Sequence, residues 1–95
     1  MTYYVYILTN KNKSVFYVGF TNNIYRRLKE HENGFLKGFT QKYNCHYLVY
    51  YEKHDSNSTA IAREKQIKKF SRKKKVALIN SFNPEWKFLN KNPGL

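Results

Sequence analysis

Tyr3-Tyr4-Val5-Tyr6-Ile7-Leu8-Thr9, then Asn10-Lys11-Asn12-Lys13-Ser14, then Val15-Phe16-Tyr17-Val18-Gly19-Phe20: residues 3–20 hold two aromatic and β-branched runs with a polar stretch between them. Such runs suit half-buried pleated surfaces, and a short polar connection favours their pairing as a β-hairpin. Thr21-Asn22-Asn23 supplies N-cap side chains directly afterwards, so a helix is expected from Ile24 to Glu32, stopped by Asn33-Gly34. Residues 35–45 read as irregular chain and His46–Glu52 as a third strand. Asp55-Ser56-Asn57-Ser58 offers a second cap, for a helix over Thr59–Phe70. Ser71 caps a third helix running to about Phe82, and Pro84 ends regular structure. The order β-β-α-β-α-α predicts an α+β fold, a small three-stranded antiparallel sheet flanked by helices. Three strands alone are marginal, so the helices must complete the core.

The chain has 95 residues, of which 41% are hydrophobic, enough for one folded domain with little stability in reserve. That domain is expected over residues 1–90, with 91–95 a flexible tail and Asn90 the start of a frayed end. Eighteen Lys and Arg face six Asp and Glu, a net charge of +12, and such a field attracts polyanions. DNA, RNA and anionic membranes are the candidate partners. The longest apolar runs are far shorter than the roughly 20 residues of a spanning helix, and no signal-peptide pattern precedes Tyr3, so a cytoplasmic protein is expected. Cys45 is the one cysteine; it excludes an internal disulfide and reads as a buried, inert thiol. Cys45, His46, His31 and His54 lack the paired spacing of a zinc site, and no nucleophile elbow supports a serine or cysteine hydrolase.

Polar residues interrupt the apolar stripes. At about 100° per residue, Ile24 and Leu28 define the inward face of the first helix, and Arg27 and His31 border it. Arg27 either snorkels or serves a site; His31 either satisfies a core hydrogen bond or does chemistry. On the second long helix Ala60, Ile67 and Phe70 form the stripe, with Glu64 close to it. A carboxylate there needs a partner: an ion pair with Arg27 or a Lys, or a hard divalent cation. Tyr6 and Tyr17 fall on the hairpin, where tyrosine ordinarily packs, and Gly19 lets another group approach the second strand closely.

Taken in order, these residues resemble the GIY-YIG nuclease superfamily, in particular its small stand-alone bacterial members. Tyr4-Val5-Tyr6 and Tyr17-Val18-Gly19 correspond to the two halves of the name. Thr21 through Arg27 to His31 is similar to the family's T…R-x-x-x-H helix, Ala62–Lys68 to its acidic helix, and Asn83-Pro84-Glu85-Trp86 to the closing segment. The resemblance implies hydrolysis of phosphodiester bonds with one Mg²⁺ or Mn²⁺. It makes Tyr6 the general base and Tyr17 its support or a phosphate ligand. Arg27 would neutralise the phosphate, His31 would tune a tyrosine or the phosphate, and Glu64 would be the metal ligand. A free tyrosine titrates near ~10, so Arg27 and the metal would have to lower Tyr6. Tyr4 stands where the name has Gly, Phe20 where some members have Lys, and Asn80 and Asn83 are both candidates for a late Asn of the family.

Arg72-Lys73-Lys74-Lys75 opens the last helix against its macrodipole, which reads either as a tolerated solvated face or as a phosphate-binding patch joining Arg27. The larger family members attach modules for target choice, and a chain of this length has no room for one, so a monomeric endonuclease guided by substrate shape is expected. DNA is the expected substrate and RNA the other candidate. The competing readings are a non-catalytic nucleic-acid-binding module of the same fold and a protein-interaction domain.

Overall fold

The computed structural model describes residues 1–33, 42–91 and 93. Most of the stretch expected to be irregular, 35–45, lies outside the described residues. Three strands, β1 (Tyr3–Thr9), β2 (Phe16–Thr21) and β3 (Tyr47–His54), and three helices, α1 (Ile24–Glu32), α2 (Asn57–Lys68) and α3 (Arg72–Phe82), follow in the order β-β-α-β-α-α. The sheet is antiparallel throughout, with β1 in the centre between β2 and β3.

A central strand covered on both faces must be apolar on both, which is why residues 5–9 are a continuous buried run. Val5 and Ile7 point to one face, where Val18, Val49, Tyr50, Ala60, Ile67 and Ile79 form a core under α2 and α3. Tyr6 and Leu8 point to the other, against Ile24 and Leu28 of α1, Cys45, Leu48 and Tyr51. The β1–β3 register slips between Ile7 and Leu8, so that Ile7 opposes Tyr50 while Leu8 opposes Leu48. This bulge lets the neighbours Val49 and Tyr50 serve the same core. Cys45 is buried, and burial pushes its thiol up.

Caps set the boundaries. Asn10 Oδ1 accepts from the backbone N–H of Ser14 and Val15, at 2.8 and 3.2 Å, so Val15 is held in the turn and β2 begins at Phe16. Asn23 caps α1 through the N–H of Arg26, at 3.0 Å. Ser56 caps α2 through the N–H of Thr59, at 3.2 Å, which starts that helix at Asn57, two residues before the expected Thr59. Ser71 caps α3 as expected, through Lys74. Between β3 and α2, Glu52 binds the Tyr50 hydroxyl, His54 Nε2 at 2.7 Å and Arg63 Nε at 3.1 Å. Burial alone raises the Glu52 carboxyl, but these hydrogen bonds outweigh it and hold the group below its ordinary value.

The last residues return to the sheet. Leu89 N–H donates to Leu48 O at 2.8 Å, and the Asn90 side chain bridges Leu48 N–H and His46 O at 2.8 and 2.7 Å. Pro93 is buried and its carbonyl accepts from the Tyr51 hydroxyl. Asn90 and Pro93 are thus both tied to β3, while residues 92, 94 and 95 of the expected tail lie outside the described residues. No helix among the described residues is long and apolar enough to cross a membrane.

Candidate active site

Tyr6 projects from the centre of the sheet towards α1 and is fully buried. Its hydroxyl lies 3.0 Å from His31 Nε2, the imidazole one turn after Arg27 on the inward face of α1. Tyr17, on β2, completes a cluster of three rings: its centroid is 5.3 Å from that of His31 and 6.4 Å from that of Tyr6, and His31 meets both edge-on. Strand β2 can accommodate this because Gly19, the cross-strand partner of Tyr6, has no side chain. A Cβ there would sit 2.5 Å from the Tyr6 oxygen, 2.7 Å from its Cζ and 3.1 Å from Tyr17 Cε1. The glycine is a volume requirement for the phenol. Gly19→Ala is therefore expected to displace the Tyr6 hydroxyl from His31 and to lower any Tyr6-dependent activity at least tenfold, while the strand persists. A crystal structure or the Tyr6 ring NMR signals of the variant would check the displacement; an unmoved Tyr6 with full activity would contradict it.

Arg27 and His31 each carry a buried nitrogen that has no hydrogen-bond partner among the described residues, Nε and Nδ1 respectively. Arg27 Nε is 3.6 Å from Glu30 Oε1, on its own helix. Burial is the largest influence on His31, followed by the positive fields of Arg27 and His46, and together they push it down to about 4. The imidazole is thus neutral near pH 7. The direction of the Tyr6–His31 hydrogen bond is set by the tautomer: with the ring proton on Nδ1, Nε2 accepts, and the site holds two N–H donors that make no hydrogen bond among the described residues. Tyr6 is moved the other way: burial and then Tyr17 raise it well above its ordinary value, and the opposing pull of Arg27 is weaker. Of the two influences expected to lower Tyr6, Arg27 and a metal, Arg27 does pull it down, but the depth of the ring outweighs that charge.

The His31 environment carries a stability consequence. The unfolded chain takes up a proton near pH 6.5, whereas the folded one resists it down to about 4. His31 therefore adds stability that is full above its unfolded value and lost as pH falls toward the folded one. The loss should be about 2 kcal/mol between about pH 7 and about pH 5. Urea midpoints for the parent and His31→Gln across that range check it: the parent should lose more than the variant, and equal losses would remove His31 as the source.

Glu64 side-chain exposure is 14%, and its carboxylate lies 3.5 Å from Lys68 Nζ. Of the expected ion-pair partners, a Lys is present, while Arg27 pairs with Glu30 instead. The Glu64 charge is felt at Tyr6, where it raises the phenol. Among the described residues no group of three or more His, Cys, Asp or Glu gathers. A depression of about 270 Å³ is lined by Phe16, Tyr17, Val18, Lys68 and Lys75, so the basic helix and Lys68, the ion-pair partner of Glu64, share one surface with Tyr17.

The rest of the basic run divides. The Arg72 guanidinium donates to Ser14 O at 2.8 Å and to Lys13 O at 3.3 Å and lies over the Phe16 ring, pinning the β1–β2 turn. Lys74 lies over Phe70, 5.6 Å from its centroid, and Lys73 is exposed. Asn83 donates to Val49 O and Lys87 O, at 3.0 and 2.9 Å, and accepts from Lys87 N–H. Asn80 accepts from the Trp86 indole. Both asparagines thus hold the closing segment. Lys68 was readable in the sequence as the residue four after Glu64. His46 was not, because nothing local links it to a helix fifteen residues earlier.

The sequence matches the family described as the GIY-YIG catalytic domain over residues 2–77, a span that contains Tyr6, Tyr17, Arg27, His31 and Glu64. It is 42% identical over 78 residues to a UPF0213 protein of Clostridium perfringens, covering 82% of this chain and 83% of that one. It is 45% identical over 83 residues to a UPF0213 protein of Syntrophus aciditrophicus, covering 86% and 93%. The solution NMR structure of a UPF0213 protein from Bacillus halodurans is similar with a TM-score of 0.59 and 32% identity, over 97% of each chain. With the tyrosine pair, the Arg–His helix and the glycine that admits them all in the matched span, the chain belongs to the GIY-YIG family, a nuclease-type catalytic domain.

Proposed function

We propose that the chain is a divalent-metal-dependent endonuclease that hydrolyses phosphodiester bonds in DNA and selects substrate shape over base sequence. The observation that carries this reading is the pair of buried nitrogens that make no hydrogen bond among the described residues, Arg27 Nε and His31 Nδ1, beside the Tyr6–His31 hydrogen bond. Buried donors without acceptors are costly, and an anionic oxygen is the acceptor that satisfies them best.

The chemistry follows from these groups. A bound phosphate neutralises Arg27 and so weakens the field that depresses His31. Its imidazole then becomes a better proton acceptor. As water attacks phosphorus, the Tyr6 oxygen takes a proton from it and releases its own hydroxyl proton to His31 Nε2, 3.0 Å away. The P–O bond to the leaving oxygen breaks, and that oxygen is protonated from solvent. Arg27 stabilises the charge on the nonbridging oxygens, and Tyr17 holds the phosphate against the ring cluster. Glu64 would hold Mg²⁺ or Mn²⁺; it is largely buried and carries one displaceable lysine partner. A hard cation there would supply charge neutralisation at the scissile group. Lys68 and Lys75, on the same surface as Tyr17, suit backbone phosphates, contacts that carry no base information.

Labelled duplex, nicked, branched and single-stranded DNA incubated with Mg²⁺, with Mn²⁺ and with chelator test this reading. Cleavage of at least one substrate with metal and none with chelator is expected. Tight binding without cleavage of any substrate would replace the enzyme with a nucleic-acid-binding module.

A further inference from the structure

Beside the His31 end of α1 stands a ladder of rings that neither the core nor the proposed chemistry uses. The Phe88 ring stacks on Tyr47 with centroids 4.4 Å apart and planes 25° from parallel. Tyr47 in turn lies 4.4 Å from His46, at 36°. Phe88 is 40% exposed. It is not required to close the fold, since the backbone of Leu89 and the side chain of Asn90 already tie this segment to β3. The rings border a hollow of about 410 Å³ whose other walls are Glu32, Asn90 and Lys91. Lys13 Nζ lies over the Phe88 ring, 5.3 Å from its centroid, and Lys91 lines the hollow. The hollow adjoins the site: Glu32 directly follows His31, and the charge of His46 is felt there.

We infer that His46, Tyr47 and Phe88 form a stacking platform for an unpaired nucleobase of the strand whose phosphate lies at Tyr6 and Arg27. An exposed Phe88 ring backed by the half-buried Tyr47 and His46, with lysines for the adjoining phosphates, is what a base released from its duplex requires, and a paired base cannot reach it. The inference rests on the nuclease reading for its choice of strand, and it assigns that enzyme a substrate class: DNA with single-stranded character next to the cut.

Binding in chelator, where no cleavage occurs, tests it apart from catalysis. The probes are a short single-stranded oligodeoxynucleotide, its duplex, and the same single strand with abasic sites. Phe88→Leu is expected to weaken single-strand binding by roughly 5- to 100-fold, the usual worth of one stacked base, and to leave duplex binding within about twofold. Phe88→Tyr should restore the parent value. The abasic strand should bind the parent more weakly by a similar factor, and this arm needs no variant to fold. Equal binding of the natural and abasic strands by the parent would overturn the platform, as would an equal loss on single strand and duplex in Phe88→Leu. Absence of cleavage with metal would count against the nuclease reading and leave these binding results to stand on their own.

Discussion

Tyr6→Phe should lower cleavage by roughly 10²–10⁴-fold, the usual contribution of a general base, while the protein stays folded. The ring remains, so the packing against Leu8, Ile24 and Leu28 is kept, and only the hydroxyl facing His31 Nε2 is lost. Its removal leaves the imidazole with no partner on either nitrogen, a cost of ~1 kcal/mol in stability. The pH profile separates a base from a packing tyrosine. In the relay the phenol passes its proton to the neutral imidazole, so the parent rate should rise as pH climbs through the His31 value of about 4 and level off towards neutral. The variant should show a flatter profile. An unchanged rate in the variant, measured with metal on a substrate the parent cuts, would remove Tyr6 from the mechanism.

Glu64→Gln should abolish metal-dependent cleavage, by at least about 10³-fold, because the amide keeps the shape of the side chain but not the charge that holds a hard cation. Nucleic-acid binding should not weaken. The substitution frees Lys68 from its 3.5 Å partner and removes the negative charge beside it, and Lys68 shares a surface with Lys75 and Tyr17. A modest gain in affinity at low salt is therefore expected. The combination of lost cleavage and kept or improved binding is the signature; cleavage at the parent rate would return Glu64 to the role of a structural ion pair.

The fold was legible where its determinants are local. The Ser71 cap starts α3 at the expected residue, and the aromatic run of β1 marks the strand buried on both faces. Shifts of one or two residues arose where a side chain intervenes, as Asn10 does at Val15 and Ser56 does ahead of Thr59. The inward placement of Arg27, His31 and Glu64 was likewise readable, since each follows from helical spacing alone. Effects between layers were not. That Arg72 pins Ser14, fifty-eight residues earlier, has no trace in the basic run, which reads the same whether its members bind phosphate or backbone carbonyls. The direction of the Tyr6 shift depends on how deeply the ring is buried between the sheet and α1, and no pattern along β1 states that depth. The stack of Phe88 on Tyr47 joins a closing segment to a strand edge, and sequence order carries no sign of it.

The space above Gly19 has a consequence for descent. Position 6 and position 19 form a lock in which one must change before the other. A lineage that abandons catalysis can replace Tyr6 by a smaller residue first, and only then can any residue larger than glycine be fixed at 19 without a clash. The reverse order passes through an intermediate with a displaced phenol and no gain to offset it. Relatives should thus fall into three sets, Tyr with Gly, small with Gly and small with larger, and the fourth combination should be missing. Position 19 then serves as a record of history: a bulky residue there dates the loss of the tyrosine as the earlier event, even in a chain whose other site residues survive.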